Sequence, residues 1–310
     1  MRSFLTALML MSLAALAAGF LGRLHPALDS LAHFRVHFIL ATLALAALAL
    51  LARARGAALA GLIAALLAGS TVALYALPFG SADDDSQQDG TITLLQMNLL
   101  YKADLADAIL TIEAADPDIV TLQEVTPAHW AALDALDYAH RVRCETSLLV
   151  GTVAILSRLP FSGAVDVCIP EENFLAQAVP FGGATLNVVS QHLSWPWPYG
   201  QAQQIEMVTP TLRGLRAPTV IAGDFNAAPW SKAVRSYARA AGASPVRGIG
   251  TTWPTFTPGR GADVPAWLMR IAGLPLDNVL VTPNVAAKAA ILPATGSDHA
   301  PVLVSLTPAD

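Results

Sequence analysis

Three observations predict a two-part chain, in which an apolar helical module precedes a globular domain of α/β or layered α+β class. Apolar runs crowd the first 80 residues. After Thr91 short strand-like runs alternate with helical segments, and polar residues recur where those runs end. Hydrophobic residues make up 54% of the 310 and charged residues 13%, against roughly 25% charged in ordinary soluble domains. The excess is uneven. Residues 1–80 hold five basic side chains (Arg2, Arg23, Arg35, Arg53, Arg55) and one acidic, Asp29. Residues 81–310 hold the other 13 Lys and Arg against 22 Asp and Glu, a formal charge of −9. This second part is long enough to bury a full core.

Residues 4–21, 34–52 and 57–79 are nearly unbroken apolar runs, each close to the ~20 residues a helix needs to cross a bilayer. None shows the polar face of a core helix, so residues 1–80 read as a membrane module of three transmembrane helices. Small residues at 14–18 also permit a cleavable signal peptide, but Arg2 is its only basic leader residue, which favours an uncleaved helix. The Arg53-Ala54-Arg55-Gly56 connection reads as cytoplasmic, because Lys and Arg mark inner loops. Arg23 and Arg35 pull weakly the other way. The expectation is a multi-pass protein of a bacterial-type inner or plasma membrane, its globular domain extracytoplasmic (periplasmic). Residues 81–90, Ser-Ala-Asp-Asp-Asp-Ser-Gln-Gln-Asp-Gly, read as an acidic solvated linker. The only two cysteines, Cys144 and Cys168, lie beyond it. An oxidising compartment allows them to pair, a reducing one leaves two thiols, and both readings stay open.

Across residues 91–310, strands are expected at 91–98, 118–123, 153–157, 184–192, 219–223, 278–281 and 301–306. Helices are expected at 105–115, 127–136, 200–213 and 231–241. Such interleaving is the pattern of an α/β or layered α+β domain.

The chemistry collects at strand ends. Asn98 closes the first strand and Glu124 follows the second. His192 ends a later one, and Asp224 and Asn226 follow the next in Gly-Asp-Phe-Asn. Asp277 precedes another strand, and Ser297-Asp298-His299 precedes the last. Residues at one edge of a sheet can share one pocket. Singly, each has an ordinary reading: Asn98, Asp224 and Asn226 as turn residues, Glu124 as a lead-in to a helix opened by Thr126-Pro127, His192 as structural. Their joint, ordered recurrence is what points to a site.

This ordered set resembles the endonuclease/exonuclease/phosphatase superfamily, which includes exonuclease III-like and DNase I-like nucleases, sphingomyelinases and inositol 5-phosphatases. The resemblance covers roughly residues 91–307. The preceding helices, with Thr252-Trp253-Pro254 and Leu276-Asp277, resemble more specifically a membrane-bound bacterial subgroup of YafD-like and VanJ-like proteins. The resemblance implies a DNase I-like four-layer sandwich over residues 91–310, two packed mixed β-sheets flanked by helices. It also implies a metal-dependent hydrolase acting on phosphate esters. Glu124 would be the principal metal ligand with Asn98 and Asp298 nearby, and the ion Mg²⁺ or Mn²⁺, which prefer oxygen ligands. Asp224 would deprotonate the attacking water, held by Asn226. His299 would donate to the phosphoryl oxygen, its tautomer fixed by Asp277, and His192 would bind phosphate or assist the leaving group. Two positions depart from the pattern: Asn278 stands where His or Tyr is common, and Ser190 where Thr is.

Charge narrows the substrate. A nucleic-acid enzyme normally carries a basic face, whereas this domain is acidic and its densest basic cluster is Arg141-Val142-Arg143. All six Trp follow residue 120, several in Pro-rich loops: Trp195-Pro196-Trp197-Pro198-Tyr199, Trp253 and Trp267. Trp and Tyr favour the membrane interface, although packing over the core accounts for them equally well. The expected substrate is a lipid-linked phosphate or diphosphate at the outer membrane surface, with membrane lipids as partners. The alternatives are an extracytoplasmic nuclease acting on DNA or RNA, and a non-catalytic membrane-anchored binding protein on the same fold. The last predicts loss of Glu124, Asp224, Asn226 or His299, and all four are present.

Overall fold

A computed structural model of the chain describes residues 2–76, 90–145, 150–216, 218–257, 262–263 and 265–309. The acidic linker expected at 81–90 lies outside the described residues except for Gly90, as does the end of the third apolar run at 77–79. Four helices come first: α1 (Arg2–Ala18), α2 (Pro26–Ala32), α3 (Arg35–Leu51) and α4 (Arg55–Ala76). Helix α2 starts where His25 Nδ1 accepts the Ala27 N–H ahead of a first-turn proline, a residue pre-set for that position. In α3 and α4 the size pattern of a soluble bundle is reversed. Small residues (Ala46, Ala49, Ala58, Ala65, Ala68) face inward, while Leu50, Leu59 and Leu66 are exposed. Arg35 ties the three helices together, its guanidinium donating to Thr71 Oγ1 (3.1 Å) and Gly19 O (3.3 Å) over the Phe20 ring.

Three spanning helices were the expectation. Among the described residues one, α4, is long and apolar enough to cross a membrane, and α2 with α3, bent by 65°, makes a second if counted as one span. Helix α1 falls short of that length.

The rest of the chain forms two six-stranded mixed sheets packed face to face. The first has the order β13 (Val285–Ile291), β14 (Val302–Pro308), β1 (Ile92–Asn98), β2 (Ile119–Val125), β4 (Thr152–Ser157), β3 (His140–Arg143). The second has the order β5 (Asp166–Ile169), β6 (Phe174–Phe181), β7 (Ala184–His192), β8 (Thr219–Asp224), β12 (Asp277–Val281), β9 (Ser244–Pro245). A two-residue ribbon, β10 (Phe256–Thr257) with β11 (Ala262–Asp263), stands apart.

Between the sheets lie Leu94, Ile119 and Val153 from one and Leu175, Val188 and Val220 from the other. Helices α5 (Ala106–Ala115) and α6 (Pro127–Ala132) cover the first sheet through Ala108, Ile112 and Trp130. Helices α7 (Gln201–Gly214) and α8 (Lys232–Ala240) cover the second through Ile205, Val208 and Tyr237. The order helix, sheet, sheet, helix accounts for the near-continuous burial of the central strands β1, β2, β4, β7 and β8, since each has a layer on both faces. A short α9 (Ala266–Ala272) follows the ribbon. A Cys144–Cys168 disulfide joins the end of β3 to β5, tying an edge of one sheet to an edge of the other and resolving the pairing left open by sequence.

Candidate active site

Pairing register brings the strand-end residues together. Strand β1 runs parallel to β2 with Asn98 beside Gln123, and β7 parallel to β8 with His192 beside Asp224. Antiparallel β12 sets Asp277 directly opposite Asp224. Strand β14, antiparallel to β1, delivers Asp298 and His299 to the same edge. All eight candidate residues converge there: Asn98, Glu124, His192, Asp224, Asn226, Asp277, Asp298 and His299.

Local backbone aims the side chains. At Glu124 the β2–β4 ladder slips between Leu122 and Val125, and Glu124 takes a left-handed φ of 58°. That bulge turns its carboxylate toward Asn98 Nδ2 (3.1 Å) and the Tyr101 N–H (2.9 Å). Asn226 is also left-handed (φ 47°). Such conformations cost of order 1–3 kcal/mol and persist only where the surroundings impose them. The glycine of Gly-Asp-Phe-Asn has a steric reason, because a Cβ on Gly223 would stand 1.9 Å from Gln191 O. Only glycine lets β8 approach β7 so closely.

Asp224 is 1% exposed. Its Oδ1 accepts the Asn226 N–H (2.8 Å), its Oδ2 accepts Asn98 Nδ2 (3.0 Å), and the Nε2 atoms of His192 and His299 each lie 3.5 Å from Oδ2. His299 Nδ1 meets Asp277 Oδ2 at 2.7 Å, with both side chains buried. Burial pushes the Asp224 carboxyl up to about 6, helped by Asp277 and opposed by the two histidines. Burial alone would depress His299, but the Asp277 and Asp224 carboxylates outweigh it and push the ring up to about 10. Near neutral pH the site therefore holds an imidazolium clamped by Asp277 beside an ionised Asp224. Asn226 Nδ2 donates to Leu193 O (2.8 Å) and faces His192 Nε2 (3.4 Å), while its Oδ1 has no partner.

Glu124, His192, Asp224, Asn226, Asp298 and His299 line one pocket of about 350 Å³, together with Asn173, Trp195 and Tyr199. Among its described lining residues there is no Lys or Arg. Asp224, Asp277 and His299 place one ligating atom each within 4.8 Å of one another, a spacing that suits a metal. A protonated His299 already engaged with Asp277 is a poor ligand, however. The pocket's other oxygens offer a better set: the carboxylates of Glu124 and Asp298 and the unpartnered Oδ1 of Asn226. All are hard donors of the kind Mg²⁺ takes.

Several supporting contacts were not assigned from the sequence, although Ser190, Trp253 and Ser297 had been singled out there. Gln96 Nε2 donates to Gln123 Oε1 (2.7 Å) and Asp277 Oδ1 (3.0 Å), and Gln123 Nε2 donates to Ser190 Oγ (3.1 Å), which bridges the two sheets beneath the pocket. Ser297 Oγ donates to Asn98 O (2.6 Å) and accepts the His299 N–H (3.1 Å). Trp253 Nε1 donates to Asp298 Oδ2 (3.1 Å) while its ring meets Trp195 edge to face. Of the two departures, Asn278 anchors the loop after Asp224 through Ala227 O (2.9 Å), and Ser190 Oγ donates to Leu122 O (3.0 Å). The signal available in sequence was polarity within strands at Gln96, Gln123 and Ser190, each directly after an apolar residue.

The model of the Endonuclease/Exonuclease/phosphatase family matches residues 95–299. Curated proteins yield no match. Among solved structures, D. rerio TDP2 complexed with single strand DNA product aligns with a TM-score of 0.55 at 21% identity, covering 71% of this chain and 100% of that one. An endonuclease/exonuclease/phosphatase from Bacteroides vulgatus aligns at 0.54 and 18%, covering 70% and 99%. One from Beutenbergia cavernae aligns at 0.52 and 22%, covering 71% and 72%. These likenesses show a common fold.

Proposed function

The chain belongs to the endonuclease/exonuclease/phosphatase family, and from that premise we propose a membrane-anchored, Mg²⁺- or Mn²⁺-dependent phosphoesterase acting on a lipid-linked phosphate or diphosphate. The observation that carries the membrane-facing part is where the N-terminal helices dock. They seat on the loop that directly follows Gly-Asp-Phe-Asn. Trp230 Nε1 donates to Ala32 O (2.6 Å), Ala228 N to His33 Nδ1 (3.0 Å), and Lys232 N and Ala233 N to the Asp29 carboxylate (2.6 and 2.8 Å). The pocket edge and the apolar helices therefore meet at one end of the domain. On that side Trp195, Trp197, Tyr199 and Trp267 remain exposed, the residue types that favour a membrane interface. His25 packs against the Trp197 ring.

The same face supports an orientation. The docking contacts lie on α2, on the turn into α3 and at the end of α4, where Gly248 N donates to Tyr75 O (2.8 Å). Arg53 and Arg55 lie at the opposite ends of α3 and α4, about 30 Å away at 1.5 Å per residue. Arg35, which had argued against this topology as a loop charge, is a buried strut between helices and leaves the loop count. An outward large-residue and inward small-residue pattern also suits helices packed in lipid. With Arg53 and Arg55 cytoplasmic, the catalytic domain is extracytoplasmic, and the Cys144–Cys168 disulfide suits an oxidising compartment.

Glu124 and Asp298 would hold the ion, and Asn98 donates to both Glu124 and Asp224. Such an ion would supply neutralisation of phosphoryl charge and polarisation of the ester. Asp224, fixed by Asn98 and Asn226, takes the proton from the attacking water. His299, kept protonated by Asp277, donates to the phosphoryl oxygen as charge builds there, and His192 faces the leaving oxygen. A nucleic-acid substrate is disfavoured by the absence of Lys or Arg among the described lining residues and by the domain's charge. Detergent-solubilised protein with Mg²⁺ or Mn²⁺ should release phosphate from lipid-linked phosphates faster than from nucleotides or single-stranded DNA. The reverse order would sink the lipid assignment.

A further inference from the structure

Asp298 lines the pocket, and its carboxylate is held from one side only. Oδ2 accepts the Trp253 indole N–H (3.1 Å), whereas Oδ1 has no hydrogen-bond partner among the described residues. Backbone contacts fix both residues. Trp253 N donates to Leu274 O (3.0 Å) and Trp253 O accepts the Leu274 N–H (2.6 Å), so the indole springs from a pinned bridge. Thr255 N donates to Asp298 O (2.9 Å), Thr255 Oγ1 donates to Ser297 O, and Thr252 O accepts the Ala300 N–H (2.9 Å). Residues 252–255 thus grip the loop that carries Asp298 at three points besides the indole. The ring itself meets Trp195 edge to face, with centroids 5.9 Å apart.

The residue type suits an anion that must stay available to a cation. An indole N–H donates and cannot accept, so it cannot turn and take the cation itself. Being neutral, it orients the carboxylate without cancelling its charge, as a paired Lys or Arg would. We propose that Trp253 is a positioning residue for the metal, its N–H fixing Asp298 through Oδ2 and leaving Oδ1 as the oxygen for the ion. This rests on the metal-dependent phosphoesterase reading of the site. Hydrogen-bond partners behind a ligating group typically contribute about 10–100-fold to metal affinity. Packing against Trp195 is the competing account of the same residue. W253F separates the two, because it keeps an aromatic ring there and loses the N–H.

The test titrates Mn²⁺ into full-length, EDTA-stripped protein in detergent and reads free Mn²⁺ by EPR. W253F should raise the Mn²⁺ dissociation constant by about 10–100-fold. Its turnover of bis(p-nitrophenyl) phosphate should be low at Mn²⁺ levels that suffice for wild type, and further Mn²⁺ should recover it. In wild type, the Trp253 indole N–H resonance should shift on Mg²⁺ addition, a readout independent of how the variant folds. Equal Mn²⁺ affinity in W253F, turnover that stays low at saturating Mn²⁺, or an unmoved indole resonance would overturn the inference while leaving the hydrolase reading intact. No Mn²⁺ binding by wild type would overturn both.

Discussion

Asp277→Asn isolates the charge that holds His299 in its protonated form. The replacement keeps the shape and can still accept Gln96 Nε2, but it removes the carboxylate 2.7 Å from His299 Nδ1. The rise of His299 from 6.5 to about 10 corresponds to roughly 5 kcal/mol in favour of the imidazolium, at 1.36 kcal/mol per unit. Asp277 is the leading raising contribution, ahead of Asp224. Without it, burial is opposed by Asp224 and, behind it, Asp298 alone, so the ring's pKa falls and the imidazolium is less favoured. A donor aimed at the developing phosphoryl charge is then weakened, which costs up to about 10²–10³ in kcat. The assay is kcat and KM on bis(p-nitrophenyl) phosphate with saturating Mn²⁺, alongside the His299 ring titration followed by NMR. The loss should fall on kcat rather than KM, and the His299 titration should move down. A variant with more than half of wild-type kcat, or with an unmoved His299 titration, would refute the reasoning.

Other consequences follow from the same geometry. Replacing Cys144 and Cys168 with serine opens a link spanning 24 residues and should cost about 3 kcal/mol on the loop-entropy account, read from urea unfolding; no change in the midpoint would contradict it. Asp29→Ala removes the acceptor of two N–H groups at the start of α8. It should destabilise that junction by about 1–2 kcal/mol and speed hydrogen exchange at Lys232 and Ala233, and unaltered exchange would count against the docking. For pH, a carboxyl raised to about 6 is protonated below that value and cannot take a proton from water. Activity should therefore fall as pH drops through about 6, or lower where a bound cation assists ionisation; a profile flat down to pH 4 would be inconsistent with Asp224 as the base.

Legibility in the sequence was uneven for physical reasons. Strands buried on both faces read clearly, because Leu94, Leu95, Val120 and Ile221 leave no polar gap. The Ala-rich β13 and the Pro-containing β6 carried weak patterns and were missed, since their place comes from pairing with β14 and β7. The helix expected at 127–136 keeps its start, with Thr126 Oγ1 accepting the His129 N–H, but its α-helical part ends at Ala132. Site residues at strand ends were visible because a polar residue terminating an apolar run is conspicuous. The bulge that aims Glu124 was not, as no residue type there demands it. Asn173 was invisible for a related reason, reaching the pocket from a turn rather than a strand end. Trp253 stood out as a candidate interfacial aromatic, whereas its indole N–H serves Asp298.

The central claim is metal-dependent hydrolysis with Asp224 as base, and the direct measurement is bis(p-nitrophenyl) phosphate turnover by wild type and Asp224→Ala. Wild-type activity should vanish with EDTA and return with Mg²⁺ or Mn²⁺. The variant, folded by circular dichroism, should be slower by a factor on the order of 10³. Equal rates for the two proteins, or full wild-type activity in EDTA, would contradict the account.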